Sequence, residues 1–374
     1  MLKVLKNLKE SAISVLVIVI LLCVQAATDL ALPTYTSKIV NTGIQQGGIE
    51  NSAPEYIAKS QMDNLLKFTT DDEKILNDYE LISEDSKHYE KDVKDYPEIE
   101  NQEVYKLKEI TEEEQDSLNQ IISKPLLALS SLEAPEEVSK ADMDLMLAFV
   151  ENDEDILNSY TLSEDGNTYK IKDISSVEKG KLNISLINGL LVKQMVSNEE
   201  TANQIKSSML ENMPNAQKTV MENMSLAEII SAMPEEQKEG FLNTIEAKLP
   251  STIDTMIANL SDSMLEQAAI QEVKLQYQYL GANTDNIQNS YILLTGLQML
   301  GIALITMISA VTIMLLSSRV AAKLGKTLRE KVFKKVLSFS TEEFFGFATS
   351  SLITRTTNDI QQIQMLLTIL FRVI

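Results

Sequence analysis

The sequence predicts a membrane protein of the α-helical class, with an acidic α+β domain inserted between its first two membrane spans. Two apolar runs without charge, at residues 11–28 and 287–318, predict the spans. Residues 41–290 hold 20 Lys and Arg against 48 Asp and Glu, a net charge of −28, whereas the remaining 124 residues hold 13 against 6, a net charge of +7. Within the acidic segment, an internal repeat predicts two small α+β units.

The composition excludes several classes of function. A net charge of −21 excludes a basic nucleic-acid-binding protein, because such proteins need a positive footprint. The single Cys23 excludes a disulfide framework. One Cys and one His are too few for a Cys2His2 zinc site. We therefore predict no catalytic set and no metal site in this chain.

The first span belongs to an N-terminal segment of residues 1–40. Its 18 uncharged residues, 11–28, follow three lysines and are long enough, at roughly 27 Å, to cross a hydrocarbon core. A cleaved signal peptide is the alternative, since the basic start and the small Ala26 and Ala27 also fit one. The apolar run is long for a signal peptide, and Leu30 and Leu32 extend it.

The second span and its continuation are predicted at residues 286–339. Gly296 and Gly301 lie within the apolar run, and seven Lys and Arg follow it within 17 residues. Helical spacing continues past the span, which extends the helix by about 20 residues or roughly 30 Å. Both spans have their basic flank away from the acidic segment, so the positive-inside rule puts the N-terminus and residues from 319 in the cytoplasm and residues 41–285 outside a bacterial cell membrane.

The repeat is predicted at about residues 62–133 and 143–197. The tripeptide at 75–77 recurs at 156–158, and the Tyr105–Ile110 hexapeptide resembles residues 169–174. Each copy predicts an αββα-like unit, with a hairpin at Asp165-Gly166-Asn167 in the second copy. The first copy carries 16 extra residues before Tyr105, whose many charges predict a solvated loop.

Residues 198–280 predict a layer of amphipathic helices. Ser225 and Glu228 fit a capping box, and Pro234 fits a helix start. The methionines of this layer fit either an ordinary core or an adaptable binding surface. The acidic clusters at 71–73 and 151–155 suit helix starts better than Ca²⁺, because the spacing of a calcium-binding loop is missing.

The C-terminal segment predicts a short helix at residues 340–349 and the start of another long helix at 350–374. Ser340 and Glu343 fit a second capping box, and aromatic residues follow. Residues 339–364 resemble the first intracellular loop of the ABC exporter membrane domain, the type IV transporter fold. The residues that match its pattern are Leu352, Ile353, Arg355, Asn358 and Asp359. Residues 32–44 resemble the outer end of the first span in bacterial multidrug-type ABC subunits.

The resemblance implies the N-terminal part of an ABC exporter transmembrane domain: two full spans, the start of a third, and a large outer insertion. It implies a coupling helix that contacts a nucleotide-binding domain through Glu342, Glu343, Phe344, Phe345 and Gly346. ATP and Mg²⁺ are expected on that absent domain, because the chain has no phosphate-binding loop and cannot hydrolyse ATP by itself. Membrane lipids, a second half-transporter and a small amphipathic substrate are the other expected partners.

Polar residues in the spans are candidates for a substrate path, although such residues also bond simply between helices. They are Gln25, Asp29, Thr295, Gln298 and Thr306. The alternative to an exporter is a two-span surface receptor or sensor whose acidic outer domain binds a ligand.

Overall fold

The chain forms two compact units in the computed structural model. The structure describes residues 11–150, 152–211, 221–222, 224–250, 253, 257, 260–340, 342, 346 and 348–373. The first unit, Met1–Asn41 with Tyr291–Ile374, is called the helical unit here, and the second, Thr42–Ser290, the inserted unit.

The helices and strands follow one another along the chain, and two of the helices carry a π-helical segment at one end. The helices are α1 Ala12–Lys38 with its π-helical end Ile39–Gln45, α2 Lys59–Leu66, α3 Asp72–Asn77, α4 Tyr89–Asp95, α5 Glu112–Ser130, α6 Lys140–Leu147, α7 Asp153–Asn158, α8 Ser176–Ser197, α9 Glu199–Glu211, α10 Leu226–Ser231, α11 Glu235–Glu246, α12 Asp262–Tyr279, α13 Thr284–Leu337, α14 Thr349–Thr354 and, after the π-helix Arg355–Asp359, α15 Ile360–Val373. The strands are β1 Tyr56–Ala58, β2 Tyr79–Leu81, β3 Val104–Leu107, β4 Glu137–Ser139, β5 Tyr160–Leu162 and β6 Thr168–Ile171.

The helical unit is built on α1, α13 and α15. Both α1 with its π-helical end and α13 are long and apolar enough to cross a membrane, and their apolar stretches are almost entirely unburied. Most of their leucine, isoleucine and valine side chains therefore face outward, which is the opposite of a soluble core helix. A small apolar cluster joins the three helices through Ile18, Ile313, Leu324 and Leu367.

The first half of the inserted unit packs helices on a three-stranded antiparallel sheet of order β1-β3-β2. Ile57 of β1 pairs with Tyr105 of β3, which pairs on its other side with Leu81 of β2. Helix α5 begins at a capping box, in which Thr111 accepts from the backbone of Glu114 and the Glu114 side chain accepts in return. This satisfies two backbone donors that a helix start otherwise leaves unpaired.

The second half has the same strand order, β4-β6-β5, and the same sequence of elements around it. Val138 pairs with Tyr169, which pairs with Leu162, and α8 begins at a capping box of Ser175 and Glu178. The predicted hairpin at Gly166 joins β5 to β6, and Gly166 takes the positive φ of 72° that glycine tolerates best.

Matching hydrogen bonds recur in the two halves. Asn119 accepts from the backbone of Ala53 at 3.0 Å, and Asn183 accepts from Ala134 at 2.9 Å. The Tyr79 hydroxyl donates to the carbonyl of Pro54 at 2.8 Å, and that of Tyr160 donates to Pro135 at 3.1 Å. Each asparagine therefore ties the long helix of its half to the chain just before the first strand.

The strands β1 and β4 are additions to the predicted αββα-like pattern. Each has three residues, which is too short to show the alternation that reveals a strand in a sequence. Each half accordingly starts earlier than residues 62 and 143, with β1 at Tyr56 and β4 at Glu137.

The charged insertion before Tyr105 is folded, which corrects the prediction of a solvated loop. It forms α4 and the 3₁₀ helix Pro97–Glu100, and it buries Asp92, Tyr96 and Ile99. Lysines and acids surround these residues in the sequence, and the loop prediction overlooked the apolar positions among them. The insertion covers one face of the first sheet, because Asp92 accepts from Tyr56 at 3.0 Å and from Lys106 at 2.7 Å.

Helix α12 is the element that the two halves share. It packs against α5 of the first half and α8 of the second. Tyr277 accepts from the backbone of Glu55 at 2.9 Å, and Tyr279 accepts from the Asn183 side chain at 3.0 Å. Two neighbouring tyrosines thus join α12 to different halves of the inserted unit. Nearby, the predicted capping box of Ser225 and Glu228 starts α10.

Candidate functional site

The predicted coupling segment begins directly after α13. That helix ends at Leu337, and one turn is visible where the Gly346 backbone donates to the carbonyl of Glu342 at 3.3 Å. Glu342 and Gly346 are both exposed. The other predicted contact residues, Glu343, Phe344 and Phe345, lie outside the described residues, as does the Glu343 half of the predicted capping box.

The residues that match the family pattern occupy the start of the return helix. Leu352 and Ile353 lie in α14, and Arg355, Asn358 and Asp359 lie in the π-helix that follows it. Leu352 is partly exposed and the other four are exposed. The structure therefore places this pattern on an accessible surface, with no buried polar site formed by its members.

Threonine hydroxyls bond to backbone carbonyls in and just before the π-helix. The hydroxyl of Thr354 donates to the carbonyl of Ser350 at 2.9 Å, and that of Thr357 to Ile353 at 2.9 Å. Thr356 donates in the same way to Leu352. Hydroxyls that bond to the carbonyl four residues back compete with the helix ladder and bend it. Short π-helical segments are frequent at functional sites.

The return helix meets the charged half of α13 through a polar contact that the sequence did not indicate. The Gln364 side chain donates to the carbonyl of Ala321 at 3.2 Å and accepts from Arg329 at 3.2 Å. Gly325 lies beneath it and is buried. The available signal was a glycine inside a helix rich in Lys and Arg, since an interior glycine often marks a close approach.

The five polar residues of the spans lie in different environments. Thr306 donates to the hydroxyl of Thr28 at 2.7 Å, so it bonds between α13 and α1. Thr295 is buried. Gln25 is partly exposed, whereas Asp29 and Gln298 are exposed. The contact of Thr306 is therefore of the kind that joins two helices, and the structure does not gather the five residues into one site.

A buried carboxyl group of the inserted unit, besides Asp92, lies on α12. Glu272 of α12 is 4% exposed and accepts from Gln276 at 2.6 Å. Burial raises the pKa of this carboxyl to about 7, the hydrogen bond from Gln276 opposes the rise, and nearby Glu133 adds to it. A cavity of about 10 Å³, room for roughly one water molecule, lies beside Glu272 and is also lined by Asn183 and Tyr279.

The acidic clusters lie in the first turns of two helices. Asp72 and Glu73 lie in the first turn of α3, and Asp153, Glu154 and Asp155 in the first turn of α7, as expected for acids that favour the positive end of a helix dipole. Among the residues that the structure describes, no group of three or more His, Cys, Asp or Glu is arranged to hold a metal ion.

Comparison with known families places the C-terminal third of the chain. The model of the ABC transporter transmembrane region matches residues 249–374, a stretch that contains α12, α13, α14 and α15. Together with the two apolar helices, this match supports a membrane protein whose C-terminal third is similar to the transmembrane region of ABC transporters.

Individual relatives are similar over a shorter stretch. Uncharacterized ABC transporter ATP-binding proteins of Mycobacterium bovis and of two strains of Mycobacterium tuberculosis are each 37% identical to the chain over 71 residues. The stretch covers 19% of this chain and only 12% of each relative's length. No solved structure matches the chain.

Proposed function

We propose that the chain is the membrane-spanning part of an ATP-driven ABC exporter subunit that moves amphipathic or drug-like molecules out of the cell by alternating access. One observation carries the proposal. The family match contains an apolar helix that continues into a charged half, a turn at Glu342–Gly346, and a return helix that packs back on the charged half. Similarity to proteins described as ATP-binding transporters adds support.

The charged half of α13 is suited to transmit motion. From Arg319 to Leu337 it has 19 residues, so it extends roughly 30 Å beyond the apolar run. A nucleotide-binding domain that holds the turn at residues 340–349 would move this helix and α15 together as levers. Under this proposal Phe344 and Phe345 anchor the turn in the partner domain, and ATP and Mg²⁺ bind on that domain.

The substrate is proposed to bind between spans of this subunit and of a second half-transporter, near the middle of the bilayer. Gln25, Asp29 and Gln298 are the better candidates for its path, because Thr306 already bonds to Thr28. The exposed apolar faces of α1 and α13 would then contact lipid or the remaining spans.

The inserted unit is proposed to lie outside the cell and to cap the exit rather than to supply the main substrate site. The charge distribution supports this location. The positive-inside rule puts the basic flanks of the two spans in the cytoplasm, so the acidic segment between the spans lies outside. We further infer that its two halves are copies of one repeat, since they share strand order, capping boxes and the paired asparagine and tyrosine bonds.

Removing the inserted unit tests the proposal, and the structure indicates where to cut. Near the two ends of the unit, Gln271 donates to the carbonyl of Gln45 at 3.3 Å and Gln288 to that of Gly43 at 2.9 Å. A short Gly/Ser linker can therefore replace the chain from Gln46 to Ala282. The protein is expressed with its nucleotide-binding domain, and ATP-driven uptake of an amphipathic dye is measured in inverted membrane vesicles.

The intact protein should accumulate dye with ATP but not with a non-hydrolysable analogue. The shortened protein should retain dye uptake, altered in rate. If the intact protein enters the membrane but transports none of a panel of amphipathic dyes, the proposal of an exporter is contradicted. A shortened protein that inserts normally but no longer binds dye would make the inserted unit the receptor, which favours the surface-receptor alternative.

A further inference from the structure

The Gln364 side chain is a polar bridge between the two helices that flank the coupling turn. Its amide nitrogen donates to the carbonyl of Ala321 at 3.2 Å, and its amide oxygen accepts from Arg329 at 3.2 Å. Ala321 and Arg329 are eight residues apart on α13, roughly 12 Å along its axis, so the amide meets the backbone at Ala321 and the tip of the long Arg329 side chain. The bridge thus fixes both the distance and the axial register of α15 against α13.

Gly325 makes this approach possible. It lies between Ala321 and Arg329 on α13, and a Cβ placed there would lie 2.9 Å from the Cγ atom of Gln364. Real Cβ atoms are not found this close to another carbon, so a larger residue would displace the amide. Glycine is otherwise unfavourable in the middle of a helix, which makes its place under Gln364 informative.

Apolar packing supports the bridge on the same helix faces. Ala321 and Leu324 of α13 and Leu367 and Phe371 of α15 are buried in one cluster. Apolar contacts alone permit two helices to slide or roll, because they have no preferred direction. Two directed hydrogen bonds from one amide remove that freedom.

The bridge also lies just beyond the π-helical part of the return helix. Between the coupling turn and Gln364 the chain passes through the π-helix Arg355–Asp359, where threonine hydroxyls compete with the helix ladder. A push applied at the turn would bend the helix there unless its far side were fixed to α13.

We propose that Gln364 is a positioning residue that makes the charged half of α13 and α15 move as one body. Through it, motion of the coupling turn would reach both helices instead of being lost in bending at the π-helix. This inference rests on the proposed function, since it names how the exporter's nucleotide-driven motion enters the membrane.

The test uses the protein with its nucleotide-binding domain in lipid vesicles. Gln364→Ala removes both hydrogen bonds, and Gly325→Ala displaces the amide without removing it. Gln361→Ala is the matched control, because it makes the same substitution on an exposed face of the same helix. Three quantities are compared: ATP hydrolysed, dye transported per ATP, and the distance between spin labels on exposed Lys326 and Met365, in a Cys23→Ser background.

Both bridge variants should keep ATP hydrolysis within about twofold of wild type while dye transported per ATP falls about fivefold or more, within the range by which residues remote from both ligands alter coupling. In both bridge variants the distribution of spin-label distances should broaden when nucleotide is bound. Gln361→Ala should leave ATP hydrolysis, transport per ATP and this distribution unchanged. The double variant should be no worse than Gln364→Ala, since both changes break the same bridge.

Two outcomes separate this inference from the proposed function. If the wild-type protein transports dye, and Gln364→Ala keeps the same amount of dye transported per ATP and a narrow distribution of spin-label distances, the positioning role is wrong. The proposed exporter function is then unaffected. If wild type shows no ATP-driven transport at all, the proposed function fails and the positioning role falls with it.

Discussion

The buried carboxyl of Glu272 should make the inserted unit less stable at alkaline than at acidic pH. Burial raises its pKa from an ordinary value of 4.5 to about 7. The ionised form is therefore disfavoured in the folded unit, so this group costs no stability below pH 4.5. The cost grows as the pH rises from 4.5 to 7 and is constant above 7.

The groups around Glu272 offset this cost only in part, because Gln276 and the positive charge of Lys179 lower the pKa of the carboxyl by less than burial raises it. Glu133 faces it from the chain before β4 and is held by Lys179 of α8 at 2.8 Å. Gln61 of α2 lines the same cavity. Gln276, one turn along α12, donates the hydrogen bond described above. A shift from 4.5 to about 7 corresponds to about 3 kcal/mol at pH 8 and less than about 1 kcal/mol at pH 5.

Glu272→Gln tests this value, because an amide has the same shape, cannot ionise and still accepts from Gln276. The unit should gain up to about 3 kcal/mol at pH 8 and little at pH 5. Urea unfolding is followed by near-ultraviolet circular dichroism of tyrosine, since nine of the eleven tyrosines lie in residues 42–290 and the chain has no tryptophan. Glu266→Gln, on the partly exposed side of the same helix, is the control.

The reasoning would be refuted by a stability change in Glu272→Gln that is the same at both pH values. It would also be refuted by a loss of stability confined to pH 8, because that would mean the ionised carboxylate makes favourable contacts in the folded unit.

Two further predictions concern the same unit. Asn183→Ala should lower the free energy of unfolding by about 1–3 kcal/mol in the same urea experiment, because it leaves the buried Ala134 N–H without its acceptor; an unchanged midpoint would show that water replaces the amide. Tyr56→Phe removes the hydroxyl that donates to Asp92 and should speed hydrogen exchange in Tyr89–Asp95 by about fivefold, the effect of one hydrogen bond of about 1 kcal/mol. Exchange that rises equally in Asp153–Asn158 would instead indicate general loosening.

Local patterns in the sequence were sufficient for several elements. Charge and hydropathy located both apolar helices, and the turn at Gly166 and the capping box of Ser225 and Glu228 appear in the structure as predicted. Each of these features depends on residues close together in the chain, whose propensities act before any tertiary contact forms.

Features that depend on distant residues escaped prediction. The burial of Asp92 and Tyr96 requires the face of a sheet whose first strand is only three residues long. Glu272 resembles any polar residue of an amphipathic helix until α12 is placed between α5 and α8. The contact of Gln364 over Gly325 joins positions 39 residues apart. Sequence periodicity indicates which face is apolar but not which partner covers it.

The exporter arrangement is tested most directly by measuring on which side of the membrane each unit lies. In a Cys23→Ser background, single cysteines are introduced by Asn167→Cys, in the exposed hairpin of the inserted unit, and by Lys334→Cys, on the exposed charged half of α13. Intact cells are treated with a membrane-impermeant maleimide. The exporter arrangement predicts labelling at position 167 in intact cells and at position 334 only after permeabilisation. Labelling at position 334 in intact cells, with position 167 protected, would contradict it.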